Sequence, residues 1–221
     1  MDYIVEPARS LPVVAKVDLC VIGGSCTGVF AAVRAARMGL SVALVEKTNA
    51  LGGMAGNGLV CVWHSLYDTE LKEQVIAGLT YEMTERLAKV NAIKTTGANP
   101  PSFVFNPEEL KIELDAFVKE HKIQLFLHTL YTAAFTDGRK VTAVAIENKD
   151  GRGAIEAGFF IDASGDGDMA RHLRLPHYIP EHPQPPTACW YLQGDIQSMD
   201  YISLLRTCGP EFGLEDDWGW G

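Results

Sequence analysis

Between an apolar run ending at Ile22 and an alanine-rich stretch lies the loop Gly23-Gly24-Ser25-Cys26-Thr27-Gly28. Such a loop can present backbone N–H groups and the positive end of a helix dipole to a pyrophosphate. Gly23 permits the tight turn, and Gly28 lets the helix pack close to the sheet. The middle glycine of the G-x-G-x-x-G spacing is replaced by Ser25. Its Cβ crowds a phosphate there, while its hydroxyl offers a hydrogen bond in return. A glycine-rich turn alone also occurs with no ligand. Glu46, 23 residues after Gly23, adds the second half of a site. A carboxylate at the tip of the neighbouring strand can accept hydrogen bonds from both hydroxyls of a ribose. Loop and acid together, in this order, point to a bound dinucleotide and leave NAD and FAD both open.

Other reactive side chains point to less. The five cysteines, Cys20, Cys26, Cys61, Cys189 and Cys208, are odd in number and widely spaced. They match neither a disulfide framework nor a zinc site, and reduced thiols imply a cytoplasmic protein. Cys26 at a helix N-terminus would have a lowered pKa if exposed; a packed, inert thiol is the expectation. His172, His177 and His182 have no metal-ligand spacing, and Asp166 and Asp168 lack the further oxygen ligands of a calcium loop. No metal is expected.

The elements that must position the loop and the acid are readable. Val17 to Ile22 is apolar with little alternation, as in a strand buried on both faces. Thr27 to Met38 reads as a helix closed by Gly39, and Leu40 to Val45 as a second strand. Strand, loop, helix and strand form a βαβ unit. Leu51 to Gly58 is too rich in glycine for a helix. A helical period runs from Asp68 to Val90, through Leu71, Val75, Leu79, Met83 and Leu87. Asn91 to Phe105 is expected to be a loop. A further helix starts with Asn106 as N-cap, Pro107 at the first position and Glu109 three residues after the cap, and ends near Glu120. Ile123 to Thr129 follows as a strand. Tyr131–Phe135, Lys140–Glu147 and Gly153–Ile161 then read as three strands joined by Asp-Gly turns. An antiparallel meander thus stands where a nucleotide fold would place a helix, which disfavours an NAD domain. The fold class is α/β: a Rossmann-like parallel sheet with a βαβ core, a β-meander crossover and a helical insertion at about 60–105. Residues 1–174 form one domain, and the proline-rich 175–221 begin another or a tail.

The run Val17 to Gly53, with Lys47 after Glu46 and Leu51-Gly52-Gly53-Met54 beyond, resembles the N-terminus of glutathione-reductase-type flavoproteins. Ile161-Asp162-Ala163-Ser164-Gly165-Asp166-Gly167-Asp168 looks like the second FAD contact of that group. The pairing of L-G-G-M with D-A-S-G-D-G-D is similar to the FAD-dependent oxidoreductase family. The resemblance implies FAD as cofactor, with Gly23, Gly24, Ser25, Cys26, Thr27 and Gly28 at the pyrophosphate and Glu46, beside Lys47, at the ribose. It implies that Gly52, Gly53 and Met54 pass close to the cofactor and that the backbone of Tyr131 meets the adenine. Ala163, Gly165 and Asp166 would lie at the pyrophosphate or ribityl chain. A carboxylate repels a diphosphate, so Asp166 is expected to accept from a hydroxyl. Only Cys61 occupies the segment where disulfide-reducing flavoproteins carry two thiols, so a dithiol mechanism is not expected. His64, in Cys61-Val62-Trp63-His64, is the candidate proton donor or acceptor near the flavin ring. A structural histidine beside Trp63 is the plainer reading.

The net charge of −9 is spread along the chain and argues against nucleic acid or an anionic membrane as partner. No run approaches the roughly 18 apolar residues of a membrane span, and Asp2 and Glu6 stand where a signal peptide needs positive charge. The expected activity is flavin-mediated electron or hydride transfer on a small-molecule substrate. Because flavoenzymes of this type need a substrate domain and a closing segment, a missing C-terminal segment or partner subunit is also expected. The alternative is a non-catalytic dinucleotide-binding fragment.

Overall fold

The computed structural model describes residues 3–5, 7–96 and 102–178, and residues 181, 189 and 211. Pro100, Pro101, Pro180, Pro183, Pro185, Pro186, His182, Cys208 and the closing run Asp216 to Gly221 lie outside them. The chain divides into two compact units, Met1–Thr187 and Ala188–Gly221. Every element below belongs to the first. In chain order they are β1 (Val13–Ile22), α1 (Cys26–Arg37), β2 (Val42–Val45), α2 (Gly53–Gly56), β3 (Val62–Trp63), α3 (Leu79–Lys89) and β4 (Ile93–Thr96). Then come β5 (Ser102–Phe105), α4 (Pro107–Glu120), β6 (Gln124–Phe126), β7 (Leu130–Asp137), β8 (Lys140–Asn148), β9 (Gly151–Asp162) and α5 (Asp168–His172).

A six-stranded sheet runs β6-β2-β1-β9-β8-β7. Its first four strands are parallel neighbours, and the last two are antiparallel. All four residues of β2 are buried, as a central parallel strand requires. Successive side chains point to opposite faces. Leu19, Val21, Val42 and Leu44 therefore join a core with α1, α3 and α4. Cys20, Ile22, Ala43 and Val45 face the other way, where Val144, Ile146 and Ile155 of the meander cover them. The meander thus does more than extend the sheet at its edge. Its apolar residues seal much of the second face, together with Met169 of α5.

The Asn106 cap forms as the sequence predicts: its side chain accepts from the amides of Glu108 and Glu109, with Pro107 behind it. Three expectations change. The helical period from Asp68 holds only from Leu79. Leu71 and Gly78 have φ of 60° and 65°, and the Asp68 carboxylate takes the amide of Lys72. The amides of Val75 and Ile76 bond Leu66, so residues 68–78 close on themselves as a loop. The stretch 91–105 is not a loop throughout, because β5 pairs with both β4 and β3 in a small antiparallel sheet. Apolar side chains there had a partner strand that local spacing does not reveal. The glycine-rich run also makes one helical turn, α2, since Gly52 enters it from a left-handed conformation (φ 110°).

Phe117 on α4 holds the helical layer together. It is fully buried, meets Phe30 of α1 edge-on at 6.4 Å, and carries the Arg86 guanidinium of α3 at 4.5 Å over its ring. Arg86 also binds Glu113 and Glu120 of α4, and Arg37 of α1 grips Glu82 of α3. Phe117→Ala is expected to cost about 3–5 kcal/mol of unfolding free energy, measured by urea denaturation. A loss under 1 kcal/mol would show that the layer does not depend on this ring.

Candidate functional site

Three strand ends converge on the Gly23–Gly28 loop, and their closeness dictates its residues. The Gly23 amide donates to Val45 O at 2.7 Å, and the Ala163 amide to Ile22 O at 2.7 Å. Gly23 has φ 102°, and a Cβ there would lie 2.2 Å from Ala163 O. A Cβ on Gly28 would lie 1.9 Å from Gly23 O. Neither position tolerates a side chain, because a backbone oxygen cannot swing aside. The return strand β9 and the helix α1 are both pressed against this turn.

Ser25 is the N-cap of α1. Its Oγ accepts from the Gly28 amide at 3.4 Å, which leaves the hydroxyl proton available to donate. The crowding expected from its Cβ is met on the other side. Gly53 lacks the Cβ that would stand 2.9 Å from Ser25 Cβ, and the Gly52 amide bonds Gly24 O at 2.8 Å. The glycine pair therefore backs directly onto the first loop. Met54, beside it, is exposed. Cys26 contacts Gly52 O through Sγ at 3.9 Å. Burial pushes its thiol up to about 11, the opposite direction from that of an exposed thiol at a helix N-terminus.

Glu46 follows β2 and is 7% exposed. Its Oε2 accepts from the Gly24 amide at 2.6 Å; its Oε1 accepts from the Thr48 amide and the Thr48 hydroxyl, both at 2.7 Å. The structure therefore joins the two parts read from the sequence, loop and acid, by a direct hydrogen bond. Both open onto one cleft, lined by Gly23, Glu46, Lys47, Tyr131, Ser164 and Asp168. The Tyr131 hydroxyl is buried and has no hydrogen-bond partner among the described residues. Burial, with Asp162 and Asp168 nearby, raises it to about 12, so Tyr131 holds its proton and is a donor lacking an acceptor. Asp166 stands at the rim with its side chain 75% exposed, 3.8 Å from the Lys47 ammonium. Gly165, next to it, has φ 88°. His64 is exposed just after β3 and does not line this cleft.

Residues not singled out in the sequence do much of the holding. Asp162 ends β9 and takes four hydrogen bonds: Ser164 N and Oγ on Oδ1, Met169 N and Ala170 N on Oδ2. It ties the return strand to α5 and shapes the Ser164-Gly165 turn. Thr129, 1% exposed, donates its amide to Glu46 O and its hydroxyl to Leu127 O, fixing the chain before Tyr131. An Asp two residues before a Ser, or a Glu two before a Thr, is the spacing of a local side-chain-to-backbone bond, and that signal was available for Asp162 and Thr48. Among the described residues no cluster of three His, Cys, Asp or Glu suited to a metal forms. None of the described helices is long and apolar enough to cross a membrane.

With this geometry in view, the sequence matches the family described as FAD dependent oxidoreductase over residues 18–216. The chain belongs to that family. Its cofactor is FAD. No curated protein matches the sequence itself. Among solved structures, the chain is similar to a geranylgeranyl bacteriochlorophyll reductase-like protein from Thermoplasma acidophilum at 19% identity and a TM-score of 0.53. That match covers 73% of this chain and 42% of the other. It is also similar to THI4 from Thermovibrio ammonificans, at 16% identity and a TM-score of 0.52, covering 72% of this chain and 62% of the other. A third similar structure is p-nitrophenol 4-monooxygenase from Pseudomonas putida, at 8% identity and a TM-score of 0.53, with 72% and 43% covered. These likenesses show the fold, and the chain spans less than two thirds of the length of each. The residues present fit FAD: a side-chain-free turn at Gly23, a carboxylate beside it, and a buried phenol lacking an acceptor.

Burial alone would raise the Asp162 carboxyl, but the donors from Ser164, Ala170 and Met169 together outweigh it and hold it below the ordinary 3.8. A depressed folded-state pKa gives stability that is present above 3.8 and lost as pH falls through the folded value. Asp162→Asn is expected to cost about 1–2 kcal/mol at pH 7. The gap to wild type should close as pH drops below about 4. Parallel stability curves down to pH 2.5 would contradict this assignment.

Proposed function

We propose that this family member binds FAD across the cleft between β1, β2 and β9, and uses it to transfer electrons or a hydride to or from a small-molecule substrate. The observation that carries the reading is the Gly24–Glu46 hydrogen bond. It sets a carboxylate for an adenosine ribose beside a turn and helix start suited to a diphosphate. Three amides of the loop are already committed, Gly23 to Val45, Gly24 to Glu46 and Gly28 to Ser25, so phosphate contact falls to those of Ser25, Cys26 and Thr27. Gly23 and Gly53, which have no room for a side chain beside Ala163 and Ser25, let the turns around the loop close tightly. Tyr131 lines the cleft with its hydroxyl buried, and Lys47, also on the lining, pairs with the exposed Asp166. The bound flavin supplies the redox step, and the protein supplies binding and position.

In this reading residues 1–174 are the cofactor domain, and 175–221 open a substrate-binding part. The thiols of Cys20, Cys26 and Cys189 are free, which suits a cytoplasmic setting. His64 is the proposed proton-transfer group at the substrate side. If turnover with a substrate is unchanged in His64→Ala, that role is removed.

Protein purified and titrated with FAD should show flavin absorption that bleaches on reduction. Glu46→Ala should raise the Kd for FAD by about 10- to 100-fold. A colourless protein that binds NAD in preference to FAD would overturn the proposal. Flavin bound firmly but never reduced by any substrate would favour the non-catalytic reading.

A further inference from the structure

The Glu46 carboxylate has about four acceptor places, two on each oxygen. Oε1 is full, because the Thr48 amide and the Thr48 hydroxyl both donate to it at 2.7 Å. The hydroxyl also lies 2.9 Å from Ala50 O, but it has one proton, and the shorter bond to a charged acceptor is the stronger. The Asn57 side-chain amide donates to the same Thr48 oxygen at 3.0 Å and holds it against Oε1. Oε2 accepts the Gly24 amide alone. Among the described residues the acid therefore keeps one open place, on Oε2, and Glu46 lines the cleft.

A ribose offers two adjacent hydroxyls, which an unoccupied carboxylate can meet with one oxygen each. Here that grip is closed, because one of the two oxygens is occupied by the chain's own Thr48. We propose that Thr48 restricts Glu46 to a single hydroxyl of the adenosine ribose of FAD, so that the acid reads one hydroxyl and is indifferent to the other. This rests on the reading that Glu46 faces that ribose, and it names the ligand group the acid recognises and the residue that limits it. The limit is local in origin. Thr48 stands two residues after Glu46, so the short turn that steadies the buried acid also takes up half of its acceptor capacity.

Flavin fluorescence titrations with FAD, and with the two FAD analogues that each lack one hydroxyl of the adenosine ribose, test this. One analogue should bind wild-type protein about tenfold or more weakly than FAD, and that loss should vanish in Glu46→Ala, where the acceptor is gone. Whatever the other analogue loses should be the same in wild type and in Glu46→Ala. Glu46→Gln, which removes the charge, should shrink the first loss and carries the comparison if the alanine variant does not fold. Thr48→Ala uncovers Oε1, and in it the second analogue should lose a further threefold to tenfold or so relative to FAD. A residue that only supported the fold would weaken all three ligands alike. Thr48→Ser keeps the hydroxyl and should match wild type. Two hydroxyls that both depend on Glu46 in wild type, or a second loss that never develops in Thr48→Ala, would overturn the proposal. FAD bound tightly with neither hydroxyl dependent on Glu46 would instead remove the reading that this acid faces the ribose.

Discussion

One hydrogen bond, from the Gly24 amide to the Glu46 carboxylate at 2.6 Å, carries the pairing of two neighbouring strands past their ends. The amide belongs to the turn that leaves β1, and the carboxylate follows β2. The bond closes that corner of the sheet and is buried, so its loss would strand a charged acceptor away from water. Much of the surrounding design serves this contact. Thr48 fills the other carboxylate oxygen, Thr129 takes the Glu46 carbonyl, and the Glu46 amide bonds Phe126 O. The acid is thus held by its neighbours on β2, on β6 and at the start of the meander.

A second constraint is crowding. Gly23, Gly28 and Gly53 are each required by a specific atom within 3 Å of the place a Cβ would occupy: Ala163 O, Gly23 O and Ser25 Cβ. The last pair is reciprocal. A serine at the usual middle-glycine position is tolerated because the opposing position has no side chain, and because its hydroxyl turns back to cap α1. Ser25 weakens the motif as a pattern and leaves the geometry intact. The same economy explains Asp162, which spends its four hydrogen bonds on ordering the return turn and none on a ligand.

The two faces of the sheet are closed by different means. Helices α1, α3 and α4 cover one face around Phe117, with Arg86 and Arg37 pairing across them. The meander covers the other through Val144, Ile146 and Ile155. That arrangement brings Tyr131 and Asp162 to the same side as Glu46, so a single cleft collects residues more than a hundred positions apart in the chain.

The sequence by itself determined the βαβ unit, the Asn106 cap and the Asp-Gly meander, because each rests on contacts between residues close along the chain or on the burial of a whole strand. It also pointed to Gly23, Gly28 and Glu46, whose roles follow from backbone conformation and spacing. Tertiary structure decided the rest. The strands β4 and β5 exist because they pair with each other, β5 pairing with β3 as well, and nothing local in Ile93–Thr96 announces that partner. The false start of α3 at Asp68 has the converse cause: apolar spacing suited a helix, but Leu66 and Asp68 captured the amides that a helix would have used. Which acceptors on Glu46 are filled, and that the Tyr131 hydroxyl has no partner among the described residues, depend on groups that meet only when β2, β7 and β9 are brought together. Hydrogen bonds are short and directional, so their partners are fixed by position in space and not by order in the chain.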